Sequence, residues 1–555
     1  MRGIEAVLEV LHASGVHYIF GNPGSTELPL NDAMAGDRRF QYVLGLHELP
    51  VTAMADGYAM ASGQLGVVCL HTCSGLGNAM GMLYNAYCEG TPLLVIAGQQ
   101  DRRLLFEEPL FAGDMVSVTR PWTKWSAQVM QVEDLPATVR RAVKTALVAP
   151  SGPVFLSVPV DIQLEQRPSF DLHPPQVPDK HLRPPLDALK TAAEKLARAD
   201  CPVLLAGSRV VEAGAIDDLV TVAEILGAEV FSDHQITRGR LPMPGDHPLY
   251  AGGLPFGTAE IGRCLSQYDV ILAVGMDLFR LFTFGNTGCP VPNHVSLIQL
   301  DADPWQIGKN CTVEIGLQGD PKVGLAELAQ RLSETRTAER KHQARKRVED
   351  SVARRLKERE ALIKEIDDQK NKRPMTALTL MGAVARVLPS NTAVVLEAVT
   401  TDNGSLEKLG VLKDPTGQFG HRGWTLGWGL GCAIGVKLAW PERPAVAILG
   451  DGAALYGIQG LWTAAHYCIP VVFLIANNRQ YKTLRMTAEM MSLSGFCQQD
   501  YPATDLLDPE IDFVGLARAF GVEAHRVTEP DDLSQRLDDG LSRTSPLLLD
   551  VTIER

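Results

Sequence analysis

Asp451 and Asn478 are the two side chains whose types and separation point most directly to chemistry. Asp451 sits in Gly450-Asp451-Gly452, directly after the apolar run Ala445-Val446-Ala447-Ile448-Leu449. Asn478 ends Ile475-Ala476-Asn477-Asn478, after Pro470-Val471-Val472-Phe473-Leu474. A carboxylate, an amide oxygen and a nearby backbone carbonyl make a hard-oxygen donor set. Such a set suits an octahedral cation like Mg²⁺, which keeps water and takes further ligands from a substrate phosphate. The glycines beside Asp451 let backbone N–H groups approach that phosphate. Taken alone, Gly-Asp-Gly fits an ordinary turn after a strand equally well.

The elements that must present this pair follow from the surrounding pattern. Both apolar runs read as buried strands, and the spacing of Ile458, Leu461, Trp462 and Ala465 predicts one helix over 453–468. Strand, helix, strand is a crossover that lays the two strands parallel. Asp451 and Asn478 then emerge at the carboxyl ends of strands, where open α/β sheets bind ligands.

The same alternation recurs along the chain. Apolar runs at 16–20, 40–46, 65–70, 93–97 and 154–158 lead into loops such as Gly21-Asn22-Pro23-Gly24-Ser25, His47-Glu48 and His71-Thr72-Cys73-Ser74-Gly75. Near-continuous apolar strands separated by helices indicate a parallel sheet covered on both faces. A Pro- and charge-rich stretch, 166–185, reads as a linker. A second unit over 186–335 has strand-like runs at 203–206, 269–274 and 295–300. The densely charged 336–373 reads as a long solvated helix with one apolar stripe through Val348, Val352, Leu356, Ile363 and Ile366. The third unit, 374–555, carries Asp451 and Asn478. The expected fold is therefore α/β, with three consecutive doubly wound parallel-sheet domains, the first over 1–165.

Bulk properties bound the function. At 555 residues there is room for roughly three to four domains. Apolar content of 45% and charged content of 21% are those of a globular protein. A net charge of −13 argues against general nucleic-acid binding. No apolar run reaches transmembrane length, and the start lacks a signal-peptide core. Ten scattered cysteines without Cys-x-x-Cys pairs fit free thiols in a reducing cytoplasm better than a disulfide framework or a zinc site. A Rossmann oxidoreductase is disfavoured, because no Gly-x-Gly-x-x-Gly opens a helix at the usual strand.

Gly-Asp-Gly, a helix, a strand and Asn-Asn together resemble the diphosphate–metal motif of thiamine-diphosphate enzymes. The three units resemble the pyrimidine, central and diphosphate domains of the decarboxylase and acetolactate synthase family, over nearly the whole chain. The resemblance implies thiamine diphosphate and Mg²⁺ as cofactors. It places the metal on Asp451, Asn478 and the Gln480 backbone carbonyl, and the diphosphate near Gly450, Gly452, Ala453 and Tyr481. It puts hydroxyls of Thr400 and Thr401 on the diphosphate, and Leu426 under the bent cofactor. The Trp424 carbonyl would accept from the pyrimidine amino group, although a tryptophan departs from the small residue expected there. Glu48, at the end of a first-unit strand, would hydrogen-bond the pyrimidine ring so that the cofactor can deprotonate its own C2–H. Partial burial would raise its pKa. A helix cap is the alternative role for Glu48 alone.

Within that family, Phe20-Gly21-Asn22-Pro23-Gly24-Ser25-Thr26-Glu27-Leu28-Pro29, Leu70-His71-Thr72-Cys73-Ser74-Gly75 and Ala97-Gly98-Gln99-Gln100 resemble the benzoylformate decarboxylase branch. That implies Ser25 on the substrate carboxylate and His71 as the proton carrier, suited by a pKa near neutrality. The register puts Leu110, Phe111, Phe282 and Phe284 around the substrate, hence a 2-oxo acid with an apolar or aromatic tail. Phe282 takes the place of a second histidine and carries no proton, which favours carboligation with an aldehyde acceptor. His421 and Arg422 read either as facing the site or as surface residues. A flavin-free acetolactate-synthase-like carboligase and a non-catalytic cofactor-binding homologue stand as rivals. The resemblance also implies a homodimer as the smallest active unit, within a homotetramer, with no nucleic-acid or membrane partner.

Overall fold

The computed structural model describes residues 1–234, 238–280 and 288–555. Three six-stranded sheets follow one another along the chain, every strand pairing parallel to its neighbours. The first contains β1 (Tyr18–Gly21), β2 (Gln41–Leu44), β3 (Gly66–Leu70), β4 (Leu93–Gln99), β5 (Trp125–Gln128) and β6 (Val154–Pro159). Its order is β2-β1-β3-β4-β6-β5. The second contains β7 (Pro202–Ala206), β8 (Glu229–Ser232), β9 (Tyr250–Gly253), β10 (Val270–Val274), β11 (Ser296–Asp301) and β12 (Ile315–Gln318), ordered β12-β11-β10-β7-β8-β9. The third contains β13 (Ala393–Glu397), β14 (Gln418–Phe419), β15 (Ala445–Gly450), β16 (Val472–Asn477), β17 (Glu523–Val527) and β18 (Leu547–Thr552). Its order, β14-β13-β15-β16-β18-β17, repeats that of the first sheet. The α/β class with three doubly wound sheets is thus as the apolar runs require.

Side chains alternate between the two faces of each strand, and both faces of the third sheet are buried. Val395, Ala447, Phe473 and Ile475 join a core shared with Phe20, Met54 and Leu76 of the first unit. Val394, Val446, Ile448 and Leu474 belong to a core that continues into the second unit. The first and third units meet through the helices Glu48–Ser62 and Trp428–Ala439, which touch backbone to backbone. A Cβ on Gly57 would lie 2.3 Å from the Cys432 carbonyl oxygen, and one on Gly435 1.9 Å from that of Met54. Any side chain at either position would push the helices apart.

Asp56 lies inside this interface, 1% exposed, and accepts from Trp428 Nε1 at 2.6 Å. Burial pushes its carboxyl up to about 6. Because the folded-state pKa lies above the ordinary value, the stability this group contributes is full below that value and is lost as pH rises through 6. Asp56→Asn keeps an acceptor for the indole and removes the titration. Its melting temperature should exceed that of the unaltered protein near pH 8, by the equivalent of about 3 kcal/mol, and the gap should close toward pH 4. A gap that is independent of pH would refute this account.

Three expectations need correction. The single helix expected over 453–468 is two, Asp451–Tyr456 and Gly460–His466. Gly457 breaks it, because a Cβ there would lie 2.5 Å from the Gly427 carbonyl oxygen. The charged segment does form a 32-residue helix, Ala338–Gln369, but its apolar stripe is only partly its docked face. Val352, Leu356 and Ile363 are exposed, and the docked side runs through Ala344, Val348, Ser351 and Ile366. Arg347 Nη2 donates to the Leu226 carbonyl at 2.6 Å and Nε to that of Gly227 at 3.2 Å, so hydrogen bonds from an arginine help to dock the helix. Finally, Cys289 and Cys311 form a disulfide, their Cα atoms 5.1 Å apart, while the other eight cysteines are free. The two lie in loops on either side of β11, a proximity their spacing of 22 does not reveal. Among the described residues no helix is long and apolar enough to cross a membrane.

Candidate active site

In the third sheet the chain leaves β13 toward β14 and then returns to the other side at β15. That reversal opens a crevice at the carboxyl ends of β13 and β15. Register aligns Glu397 with Leu449 and Gly450 with Ala476, so the loops after β13, β15 and β16 start side by side. Asp451 is the first residue of the helix after β15 and is 4% exposed. Its Oδ1 accepts from Gly452 N at 2.7 Å and its Oδ2 from Arg479 N at 2.6 Å, so one carboxylate ties two strand ends together. Arg479 bends the loop at φ +58°. Asn478 Oδ1 accepts from Gln480 N at 3.0 Å. Asn477 faces the other way, donating to Asp550 Oδ1 at 2.9 Å. The Asn-Asn pair thus divides into one residue that braces the sheet and one in the crevice.

This donor set fits a metal ion. Burial pushes the Asp451 carboxyl up to about 6, and what opposes this is the backbone N–H groups of Gly452, Arg479, Gln480 and Asn478, not a basic side chain. A divalent cation beside it would restore the ionised form. Gln480 Oε1 is buried without a hydrogen-bond partner. Among the described residues no group of three or more His, Cys, Asp or Glu could hold a metal, and this set asks for only one acid. Tyr481 lies over Gly452, where a Cβ would stand 2.6 Å from Cε1 of its ring. Ala453 is buried in the first turn after Asp451. Thr400 and Thr401 lie in the short helix Val399–Asp402 at the end of β13, Thr401 buried.

The segment 421–429 borders the same crevice. Leu426 and Trp424 are half-buried, and Trp424 has φ +62°. Glu397 anchors the segment, accepting from Gly427 N at 2.9 Å, Trp428 N at 3.1 Å and Gly429 N at 2.9 Å. His421 and Arg422 are buried, not on the surface.

In the first unit, β1, β2 and β3 present a second group of side chains at their carboxyl ends. Glu48 opens the helix after β2 and is 7% exposed. Asn78 Nδ2 donates to its Oε2 at 3.0 Å and Asn22 Nδ2 to its Oε1 at 3.5 Å. The helix cap is His47, whose Nδ1 accepts from Leu49 N at 3.1 Å, so Glu48 is not spent on capping. His71 follows β3, with Nδ1 2.9 Å from Glu27 Oε2 and 3.3 Å from Thr26 Oγ1. Glu27 also accepts from Gly24 N at 3.0 Å and Gly98 N at 2.9 Å. A carboxylate so placed takes the Nδ1–H and leaves the ring's lone pair on Nε2.

Ser25 is exposed at the start of the turn Ser25–Glu27, in the loop whose Gly24 presses on the His71 ring. Phe111 sits edge-on to His71 with ring centroids 5.2 Å apart, and Leu110 is 80% exposed beside it. Phe282 and Phe284 lie outside the described residues. Glu27 and Glu397 are the two residues that sequence reasoning left without a role. Glu27 stood inside a quoted motif, but its partner Gly98 is 71 positions away.

Comparison with known proteins adds three matched regions. Residues 1–111 match the family described as thiamine pyrophosphate enzyme, N-terminal TPP binding domain; 189–328 match the central domain and 411–551 the C-terminal TPP binding domain. A benzoylformate decarboxylase of Pseudomonas aeruginosa is 34% identical over 549 residues, covering 98% of both chains. A probable acetolactate synthase large subunit of Methanocaldococcus jannaschii is 30% identical over 568 residues, covering 100% of this chain and 92% of its own. Among solved structures, a thiamine diphosphate-dependent 4-hydroxybenzoylformate decarboxylase of Rhodococcus jostii RHA1 superposes with a TM-score of 0.88 at 31% identity, covering 100% of this chain and 99% of its own.

Proposed function

The chain belongs to the thiamine pyrophosphate enzyme family, and on that premise we propose that it decarboxylates a 2-oxo acid with an aromatic or apolar tail to the aldehyde, without oxidation. The observation that carries this reading is the Glu27–His71 pair, a histidine with one nitrogen held by a buried carboxylate beside the apolar Phe111. Bound thiamine diphosphate would supply a carbon nucleophile and an electron sink. The protein's part is to place and to titrate. Ser25 would meet the substrate carboxylate, and His71 Nε2 would give and take protons at the reacting carbon. Glu48 would hold the pyrimidine ring. Asp451, Asn478 and the Gln480 carbonyl would hold Mg²⁺ against the diphosphate, with Gly450, Gly452, Ala453, Tyr481, Thr400 and Thr401 around it. Burying a second carboxylate against Leu110 and Phe111 would cost several kcal/mol, which sets the preference against dicarboxylates. With Phe282 in place of a proton carrier, carboligation to a 2-hydroxyketone accompanies aldehyde release.

The active unit in this reading is a homodimer. Phe106 is 98% exposed and Leu110 80% in the first unit, and Leu484 and Met490 are 53% and 57% exposed in the third, surface that a second copy would cover. The test is a 2-oxo acid panel with Mg²⁺ and thiamine diphosphate. Benzoylformate-type acids should be consumed faster than pyruvate or 2-oxoglutarate, with CO₂ and aldehyde as products. Acetolactate from pyruvate alone would favour the carboligase reading, for which the acetolactate synthase relatives speak. Cofactor binding with no acid consumed would leave only a binding role.

A further inference from the structure

A bulky residue held at positive φ costs of order 1–3 kcal/mol and persists only where its surroundings enforce it. Trp424, at φ +62°, is such a residue. Its neighbours on both sides are fixed. Arg422 N donates to Glu89 Oε2 at 3.0 Å, and its guanidinium contacts Glu89, Glu212 at 3.2 Å and Asp277 at 3.6 Å. Thr425 N donates to Asn85 Oδ1 at 3.0 Å, and the Thr425 carbonyl accepts from Asn85 Nδ2 at 2.9 Å. Asn85 thereby fixes the peptide that carries the Trp424 carbonyl, and one contact fixes the peptide before it: the Trp424 N–H donates to His421 Nδ1 at 3.1 Å.

His421 is built to hold that acceptor still. It is 2% exposed and lies between two indoles, with centroids 5.1 Å from Trp424 and 4.8 Å from Trp428. Trp428 is itself fixed by Asp56. Because Nδ1 accepts, the proton sits on Nε2, which faces Glu397 Oε1 at 3.5 Å. A ring enclosed in this way has no open side for a substrate, so proton transfer to a ligand is not its work.

We propose that His421 is a positioning residue: by fixing the peptide before Trp424 it holds Trp424 in its left-handed conformation, and together with Asn85, which fixes the peptide after it, keeps the Trp424 carbonyl toward the amino group of the cofactor's pyrimidine ring. The inference rests on the functional reading above, in which that carbonyl accepts from the cofactor. His421→Phe keeps a ring between the indoles and removes the acceptor. His421→Asn returns an acceptor, Oδ1, near the place of Nδ1. Trp424→Gly removes the need for either, since glycine adopts positive φ without strain.

The test is a mutant cycle on the full chain, read by calorimetric binding of thiamine diphosphate with Mg²⁺ and by amide hydrogen exchange at residue 424 in cofactor-free protein. His421→Phe should weaken binding about tenfold and speed exchange at residue 424, and His421→Asn should recover most of both. In the Trp424→Gly background, His421→Phe should cost less than about twofold, because the contact it removes is no longer needed. Equal losses in both backgrounds, or His421→Asn behaving like His421→Phe, would overturn the inference. If the unaltered protein does not bind thiamine diphosphate, the functional reading falls instead and the aiming role falls with it. Exchange at residue 424 then decides whether His421 holds the Trp424 peptide.

Discussion

Glu48→Gln is expected to slow C2–H exchange of bound thiamine diphosphate by about a thousandfold, while fold and cofactor affinity stay within a few-fold of the unaltered protein. Positioned acid–base groups contribute about 10²–10⁴ to such proton transfers. The structure says why glutamine separates chemistry from architecture here. The Glu48 side chain is buried and receives only two amide donors, from Asn78 and Asn22. No helix cap depends on it, because His47 has that task. Glutamine preserves shape and one acceptor oxygen, and loses the charge that a pyrimidine nitrogen would share a proton with. Hydrogen–deuterium exchange at C2, followed by NMR after rapid quenching, gives the rate. An unchanged rate removes Glu48 from the mechanism.

Asp451→Ala should abolish retention of the cofactor through gel filtration, a loss of at least about a hundredfold in affinity. The substitution deletes the only carboxylate of the proposed donor set. It also strands the N–H groups of Gly452 and Arg479, each of which now donates to a charged oxygen. Hydrogen bonds to charged groups are worth about 1.5–3 kcal/mol each. Asp451→Asn distinguishes the two losses, since the amide keeps an acceptor for one strand end and carries no charge for a metal. Affinity that falls in both variants and ignores added Mg²⁺ in both is the expected pattern. Tight binding by Asp451→Ala in the presence of a chelator would sink the assignment.

Most of what the sequence made legible is local. The central strands are continuous apolar runs, so β1, β3, β4, β6, β7, β10, β11, β15 and β16 stand out. Several strands that escaped notice are short or half-exposed, although the buried six-residue β18 escaped as well. β14 has two residues, and all four residues of β5 are only half-buried, at the sheet edge. The Asp451–Asn478 loop is readable because the residues concerned lie within thirty positions and follow strands that announce themselves. Glu397 is not, because its three partners lie 30 to 32 residues on, beyond a strand of two residues. The charged helix shows the limit of periodicity. Of its stripe, Val348 and Ile366 dock while Val352, Leu356 and Ile363 face water, because docking is decided by the surface beneath as well as by the helix.

The shared strand order of the first and third sheets has a consequence for how the two units meet. The helices that touch through Gly57 and Gly435 follow the second strand of their respective sheets. Corresponding parts therefore meet, as they would between two copies of one ancestral protein related by a two-fold axis. Here both parts lie on one polypeptide, and the two units differ in the side chains that they present at matching positions. The position just past the third strand holds His71 in one copy and Asp451 in the other. The helix after the second strand begins with Glu48 in one, and with Trp428 preceded by Leu426-Gly427 in the other. The same scaffold position thus carries the proposed proton carrier in one unit and the proposed cation ligand in the other.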